Sequence, residues 1–410
     1  MSNILWMQTG ACSGDTMSLL SADRPSLEQL GLQYGVKLLW QPSLTVDRSF
    51  GEVLGAVLAG DEKLDVLCIE GSLMVGPGNT GMFDTWKGRP KIDIVRQLAS
   101  LATDVVAMGT CAAFGGVHAA GINPTDCTGL QFHKDTPGGL LGNAWRARSG
   151  RPVVNVSGCP AHPNTITKVL AMIAAGEEIA LDQFNRPTAF FASLVHQGCT
   201  RNEYHEYDIE DSELGGRGCM FFSLGCRGPQ TVAPCNTELW NGHSSKTRAG
   251  VPCFGCTSPS FPPDGDLFST PRIGAIPKFL PLGVVRAKYM AYKNLARAAA
   301  PDDDFDEDYD YRRPTARPRA GAQRYLDDDA LTVGTPFLVD LTSASTVASA
   351  RFNWAARLAS AAASRRWLAR IMPISTGLPS PTAIATRSSA VVNERPQRCT
   401  QACRYALAPS

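Results

Sequence analysis

Cys12, Cys111 and Cys159 stand in three separate motifs, "GACSGD", "MGTCAAFGG" and "VSGCPAHP", each following a β-rich apolar run. Between residues 196 and 256 the chain adds "HQGC" (His196, Cys199), "CMFFSLGC" (Cys219, Cys226), Cys235 and "CFGC" (Cys253, Cys256). Thiolate and imidazole are donors that soft and borderline metals select. Six cysteines and a histidine in one segment exceed the four ligands of a tetrahedral zinc site. That segment is rich in Gly and Pro and poor in periodicity, so it has little with which to build an ordinary core. Two chemistries stay open at this level: a zinc staple on four of the groups, or iron–sulfur clusters, for which cysteine thiolates are the usual ligands. Asp15, three residues after Cys12, is equally open. It either completes a C-x-x-D ligand pair or caps a helix beginning near Thr16. Cys68 reads as a small core residue and Cys127 as a loop bystander. "GPGNTG" at 76–81 has phosphate-loop spacing, but Met82 and Phe83 occupy the Lys and Ser/Thr positions, which argues against a nucleotide.

The elements that must position these groups follow from the apolar pattern. Runs at 4–8, 36–40, 64–69, 104–108 and 152–156 alternate with stretches of helical spacing, which predicts an α/β fold with a parallel, helix-covered sheet. In such sheets ligands collect beyond the carboxyl ends of strands. Cys12, Glu70 (in "CIEGS"), Cys111 and Cys159 all fall there. The 410 residues are 44% hydrophobic and 19% charged with a net charge of +1, a globular composition that implies no general attraction for nucleic acid or anionic lipid. No run approaches the roughly 18 apolar residues of a membrane span. With no basic leader or twin arginine before the first strand, the expected location is the cytoplasm, where the 13 cysteines stay thiols. After residue 300 the composition turns acidic ("PDDDFDEDYDY"), then rich in Arg, Pro, Ala and Ser, and reads as a weakly ordered, low-complexity extension. Within it, 346–372 is compatible with a basic amphipathic helix, either solvated or lying on a membrane surface or partner. Cys399 and Cys403 receive no function.

In order, "GACSG", "IEGS", "GTCAAFGG", "GCPAHP", "HQGCTR", "GCRGP", "SSKTRAG" and "CFGC" resemble the small subunit of nickel–iron hydrogenases over residues 1–295. The C-x-x-D variant resembles the actinobacterial-type branch, associated with oxidation of hydrogen at low concentration and with oxygen tolerance. The resemblance implies a flavodoxin-like domain at 1–175, a less regular iron–sulfur domain at 176–295, and a tail at 296–410. It implies a proximal 4Fe-4S cluster on Cys12, Asp15, Cys111 and Cys159, and a distal 4Fe-4S cluster on His196, Cys199, Cys219 and Cys226. A medial 3Fe-4S cluster would take Cys235, Cys253 and Cys256, since no cysteine lies between Cys235 and Cys253 and Lys246 stands where a fourth ligand would be sought. The Cys219–Cys226 spacing is one residue longer than in many members. A neutral His196 ligand would make its cluster less negative and easier to reduce, against the plainer reading of a satisfied surface histidine. Glu70 is either a strand-end anchor or a proton relay facing the large subunit, which would carry the nickel–iron centre. The implied activity is hydrogen oxidation on that partner, with electrons passed onward to a quinone-linked or cytochrome acceptor and peripheral association with the inner membrane face. Two rivals are a hydrogen-sensing subunit that signals to a kinase and a zinc-stapled interaction protein.

Overall fold

The computed structural model describes residues 1–291 other than 207, 208, 264 and 275, so the readings of the tail, its 346–372 helix, Cys399 and Cys403 lie outside the described residues. Five strands, β1 (Ser2–Gln8), β2 (Val36–Trp40), β3 (Val66–Glu70), β4 (Asp104–Met108) and β5 (Val154–Val156), form one parallel sheet in the order β5-β4-β3-β1-β2. This is the flavodoxin-like arrangement, with its topological switch between β1 and β3. The last strand is shorter than its apolar run because Pro152 has no N–H to donate to a ladder.

The helices are α1 (Gly14–Leu20), α2 (Leu27–Tyr34), α3 (Phe50–Ala59), α4 (Lys91–Leu101), α5 (Gly109–Phe114) and α6 (Pro163–Ala174). Alternate strand residues feed two cores. Ile4, Trp6, Val66, Cys68, Val106 and Met108 pack with Leu19, Leu30, Ile166 and Val169. Leu5, Met7, Leu67, Ile69, Val105 and Ala107 pack with Val53, Leu54, Val95 and Leu98 on the other face. Coverage of both faces explains why β3 and β4 are buried at every residue and why Cys68 is a core side chain. Ser26 with Gln29 and Ser49 with Glu52 build capping boxes for α2 and α3, and Gly35 and Gly60 close those helices in the left-handed conformation.

Beyond α6 regular structure is sparse among the described residues. It amounts to α7 (Asn202–Glu206), a 3-10 turn at Gly228–Gln230 and a hairpin of Arg272–Ile273 with Ile276–Pro277. Two small cores lie here, one holding Cys219, Phe221, Phe222, Ile276 and Tyr289, the other Val195, Ala233 and Cys253. Cysteines are members of both. No helix among the described residues is long and apolar enough to cross a membrane.

Candidate metal centres

The carboxyl ends of β1, β4 and β5 carry the first group. Cys12 follows β1, Cys111 lies in α5 directly after β4, and Cys159 follows β5. The N–H of Thr110 donates to the Gly158 carbonyl at 2.8 Å, joining the last two loops. Asp15 is not the cap of its helix. Helix α1 begins at Gly14 with Ser13 at the N-cap in the left-handed conformation (φ 62°) and no side-chain cap bond. The Asp15 Oδ1 instead accepts from the Ala161 N–H at 2.7 Å, in the loop that holds Cys159. Glu70 supplies the cap from the end of β3. Its Oε1 accepts from the Asp15 and Thr16 N–H groups at 3.0 and 3.2 Å, and its Oε2 from Trp6 Nε1 at 2.8 Å, Gln8 Nε2 at 3.0 Å and the Thr16 hydroxyl. A carboxylate on those amides is favoured by the helix dipole. At 1% exposure and with five donors, Glu70 is an anchor for the turn that presents Asp15.

The acids of this group burden one another. Burial, helped by the Glu70 charge and opposed by the Ala161 N–H, pushes Asp15 up from 3.8 to about 7. Burial also pushes Cys111 up to about 11, with Asp15, Cys12 and Cys127 adding to it, and Cys159 up to about 12, with Cys111, Cys256, Asp15 and Cys12 adding. Burial and crowding thus disfavour the anionic forms, which a cationic partner would have to stabilise. Two glycines shape the space. At Gly116 (φ 55°) a Cβ would stand 2.6 Å from the Cys111 sulfur, and at Gly109 (φ 80°) it would run into the Asp15 carboxylate. A cradle that a single methyl would fill, lined by sulfur and carboxylate, fits an iron–sulfur cluster. Cys127 also corrects the expectation from sequence. It sits in a two-residue ladder with Leu73–Met74, too short to leave a periodic signal, and its sulfur lies 3.1 Å from Thr125 Oγ1 and 3.5 Å from Ser72 Oγ.

His196, Cys199, Cys219 and Cys226 line one small pocket together with Arg201 and Phe221. Burial pushes Cys219 up to about 12 and Cys226 to about 11, and the nearby Arg201 charge draws both back. Burial lowers the His196 pKa, favouring the neutral imidazole that metals bind. Arg201 is held by carbonyls, from Nε to Thr247 at 2.7 Å and from Nη1 to Gly216 and Gly218 at 2.6 and 2.8 Å. Within "HQGCTR" this arginine has no role that sequence reasoning assigns; a cation two residues from a candidate ligand is the signal that was available.

Cys235, Cys253 and Cys256 form the third group. Burial, with the Cys256 charge beside it, pushes Cys235 up to about 11 against Lys246 and a bond from Trp240. Cys253 is raised well above the ordinary thiol value by burial first, then by Cys226, Cys256 and Cys235. Lys246 lies with Nζ 5.2 Å from the centre of the Phe254 ring, a cation beside the thiols. This group touches both others. The Cys253 N–H donates to the Cys226 sulfur at 3.4 Å, and the Thr110 hydroxyl donates to the Cys256 carbonyl. Among the described residues no three His, Cys, Asp or Glu side chains converge tightly enough to chelate a single ion.

Fold and sites together define a class: flavodoxin-like α/β proteins in which the sheet domain is followed by a thiol-rich segment of little regular structure. Residues 12–173 match the family described as NADH ubiquinone oxidoreductase, 20 Kd subunit, and residues 191–269 match the C-terminal family of the NiFe/NiFeSe hydrogenase small subunit. The F420 non-reducing hydrogenase II small subunit of Methanosarcina mazei is 31% identical over 285 residues, covering 63% of this chain and 73% of the relative. The hydrogenase-2 small chain of Escherichia coli K12 is 31% identical over 273 residues, covering 62% and 66%. The actinobacterial-type NiFe-hydrogenase from Ralstonia eutropha H16 superposes with a TM-score of 0.60 at 29% identity, over 83% of this chain and 94% of the other. This chain belongs to the nickel–iron hydrogenase small-subunit family, whose members pair with a large subunit in hydrogenase complexes and for which iron–sulfur binding is expected.

Proposed function

We propose that this chain relays electrons from hydrogen oxidised on its large-subunit partner through three iron–sulfur clusters to an acceptor. The observation that carries this reading is the contact order of the three ligand groups: the middle one bonds the Cys226 sulfur on one side and Thr110, beside Cys111, on the other. When bound, iron–sulfur clusters accept and release single electrons. In this assignment Cys12, Asp15, Cys111 and Cys159 hold the proximal 4Fe-4S cluster, Cys235, Cys253 and Cys256 the medial 3Fe-4S cluster, and His196, Cys199, Cys219 and Cys226 the distal 4Fe-4S cluster. Asp15 carries the charge of the thiolate it replaces but is a harder donor. Glu70 and the Ala161 N–H fix its turn, and Phe221 and Met220 line the distal cavity with apolar surface. Lys246 and Arg201 place fixed positive charge beside the medial and distal thiols. We assign the chain to the cytoplasm, peripheral to the inner face of the membrane, with a quinone-linked or cytochrome acceptor.

The test is purification with the large subunit, iron analysis and hydrogen uptake with an artificial acceptor. Two four-iron clusters and one three-iron cluster predict about eleven iron atoms per small subunit, all reducible by hydrogen. Zinc in place of iron would make the chain a stapled interaction protein, and iron that hydrogen cannot reduce would remove it from the electron path.

A further inference from the structure

We propose that Thr110 sets the electronic coupling between the proximal and medial sites, an inference that rests on the relay reading above. Thr110 precedes Cys111 and is 1% exposed. Its Oγ1 accepts from the Gly158 N–H at 2.9 Å while donating to the Cys256 carbonyl, and its own N–H donates to the Gly158 carbonyl at 2.8 Å. One side chain therefore joins three loops that each carry a ligand: its own peptide runs into Cys111, Gly158 runs into Cys159, and the carbonyl belongs to Cys256. A donor and acceptor linked by bonds and hydrogen bonds couple better than a pair separated by a gap, because electronic overlap falls more steeply through space. The hydroxyl keeps its proton throughout. One electron is lost on the proximal side and one gained on the medial side, and no atom is transferred.

The seam between the two regions has other cross-links. The Ser157 hydroxyl and an Arg186 Nη1–H donate to the Thr257 carbonyl at 3.0 and 3.2 Å. These hold the same surfaces together, but neither contacts the backbone of a ligand residue directly. That difference separates coupling from simple adhesion.

The experiment compares the assembled enzyme carrying Thr110→Val, Thr110→Ser or Ser157→Ala. Iron content and the potentials of the proximal and medial clusters come from electron paramagnetic resonance titration, and freeze-quench spectroscopy after mixing with hydrogen times the arrival of the electron at the medial cluster. Thr110→Val should slow that arrival severalfold with both clusters present at unchanged potentials, Thr110→Ser should restore it, and Ser157→Ala should leave it near wild type. Thr110→Ala is read the same way where the valine methyl crowds the Cys256 carbonyl. Unchanged transfer in the variants lacking the hydroxyl, or equal slowing in Ser157→Ala, overturns the assignment, as does cluster loss, which would make Thr110 structural only. A wild-type enzyme lacking either cluster would instead sink the relay reading itself.

Discussion

The first 175 residues and the segment from 190 to 291 hold themselves together by different means. In the first, buried aliphatic side chains line both faces of a sheet, and capped helices cover them; the candidate ligands Cys12, Cys111 and Cys159 belong to neither core. In the second, the two small cores include Cys219 and Cys253 themselves, and Arg201, bonded to three carbonyls, substitutes for secondary structure. On the proposed assignment the first region would lend sulfur to a metal site, and the second would be organised around its own. Where a site forms only with metal, binding free energy becomes folding free energy.

The sharpest way to test this contrast is to break the donors of the stable region. Cys111→Ser or Cys159→Ser should abolish hydrogen oxidation while circular dichroism shows the sheet intact; wild-type turnover in both would overturn the proximal assignment. Iron removal by a chelator should come next in size. Amide exchange should then rise across 190–291 and stay slow in β1, β3 and β4, and equal loosening of both regions would erase the distinction. Asp15 probes the boundary. In the iron-free chain its raised pKa means that stability declines as pH rises from about 4 to about 7, since the folded state holds the proton longer than the unfolded state. Asp15→Asn should remove that slope in pH-dependent urea melts. In the loaded enzyme Asp15→Cys should keep four proximal irons at a shifted potential, and Asp15→Ala should lose one; unaltered proximal spectra in both Asp15→Ala and Asp15→Asn would exclude ligation. Ser49→Ala, which removes a cap far from any thiol, should lower stability by only about 0.5–2 kcal/mol without changing the spectra. Truncation after Ala300 should change iron content and artificial-acceptor activity least, because every assigned ligand precedes it.

The sheet was readable in the sequence because strands buried on both faces leave near-continuous apolar runs, as 104–108 and 66–70 do. The start of α1 was not, because its cap is Glu70, 55 residues away along the chain, while Ser13 adopts a left-handed conformation that serine rarely signals. Candidate ligands announced themselves by residue type. Thr110 and Arg201 did not, since their partners are backbone carbonyls that residue types do not reveal, in one case 146 residues distant.

The spread of the proximal donors over positions 12, 111 and 159 bears on how the protein is made. At bacterial rates of synthesis, Cys12 leaves the ribosome roughly 7–30 s before Cys159 follows. On the proposed assignment, no nascent fragment ending short of β5 offers a complete set, so a proximal cluster would find its place only after the last strand had joined the sheet. Strand order would then act as a check on completeness: an unfinished chain would stay unloaded, and Cys12, solvent-accessible, would wait for Cys159.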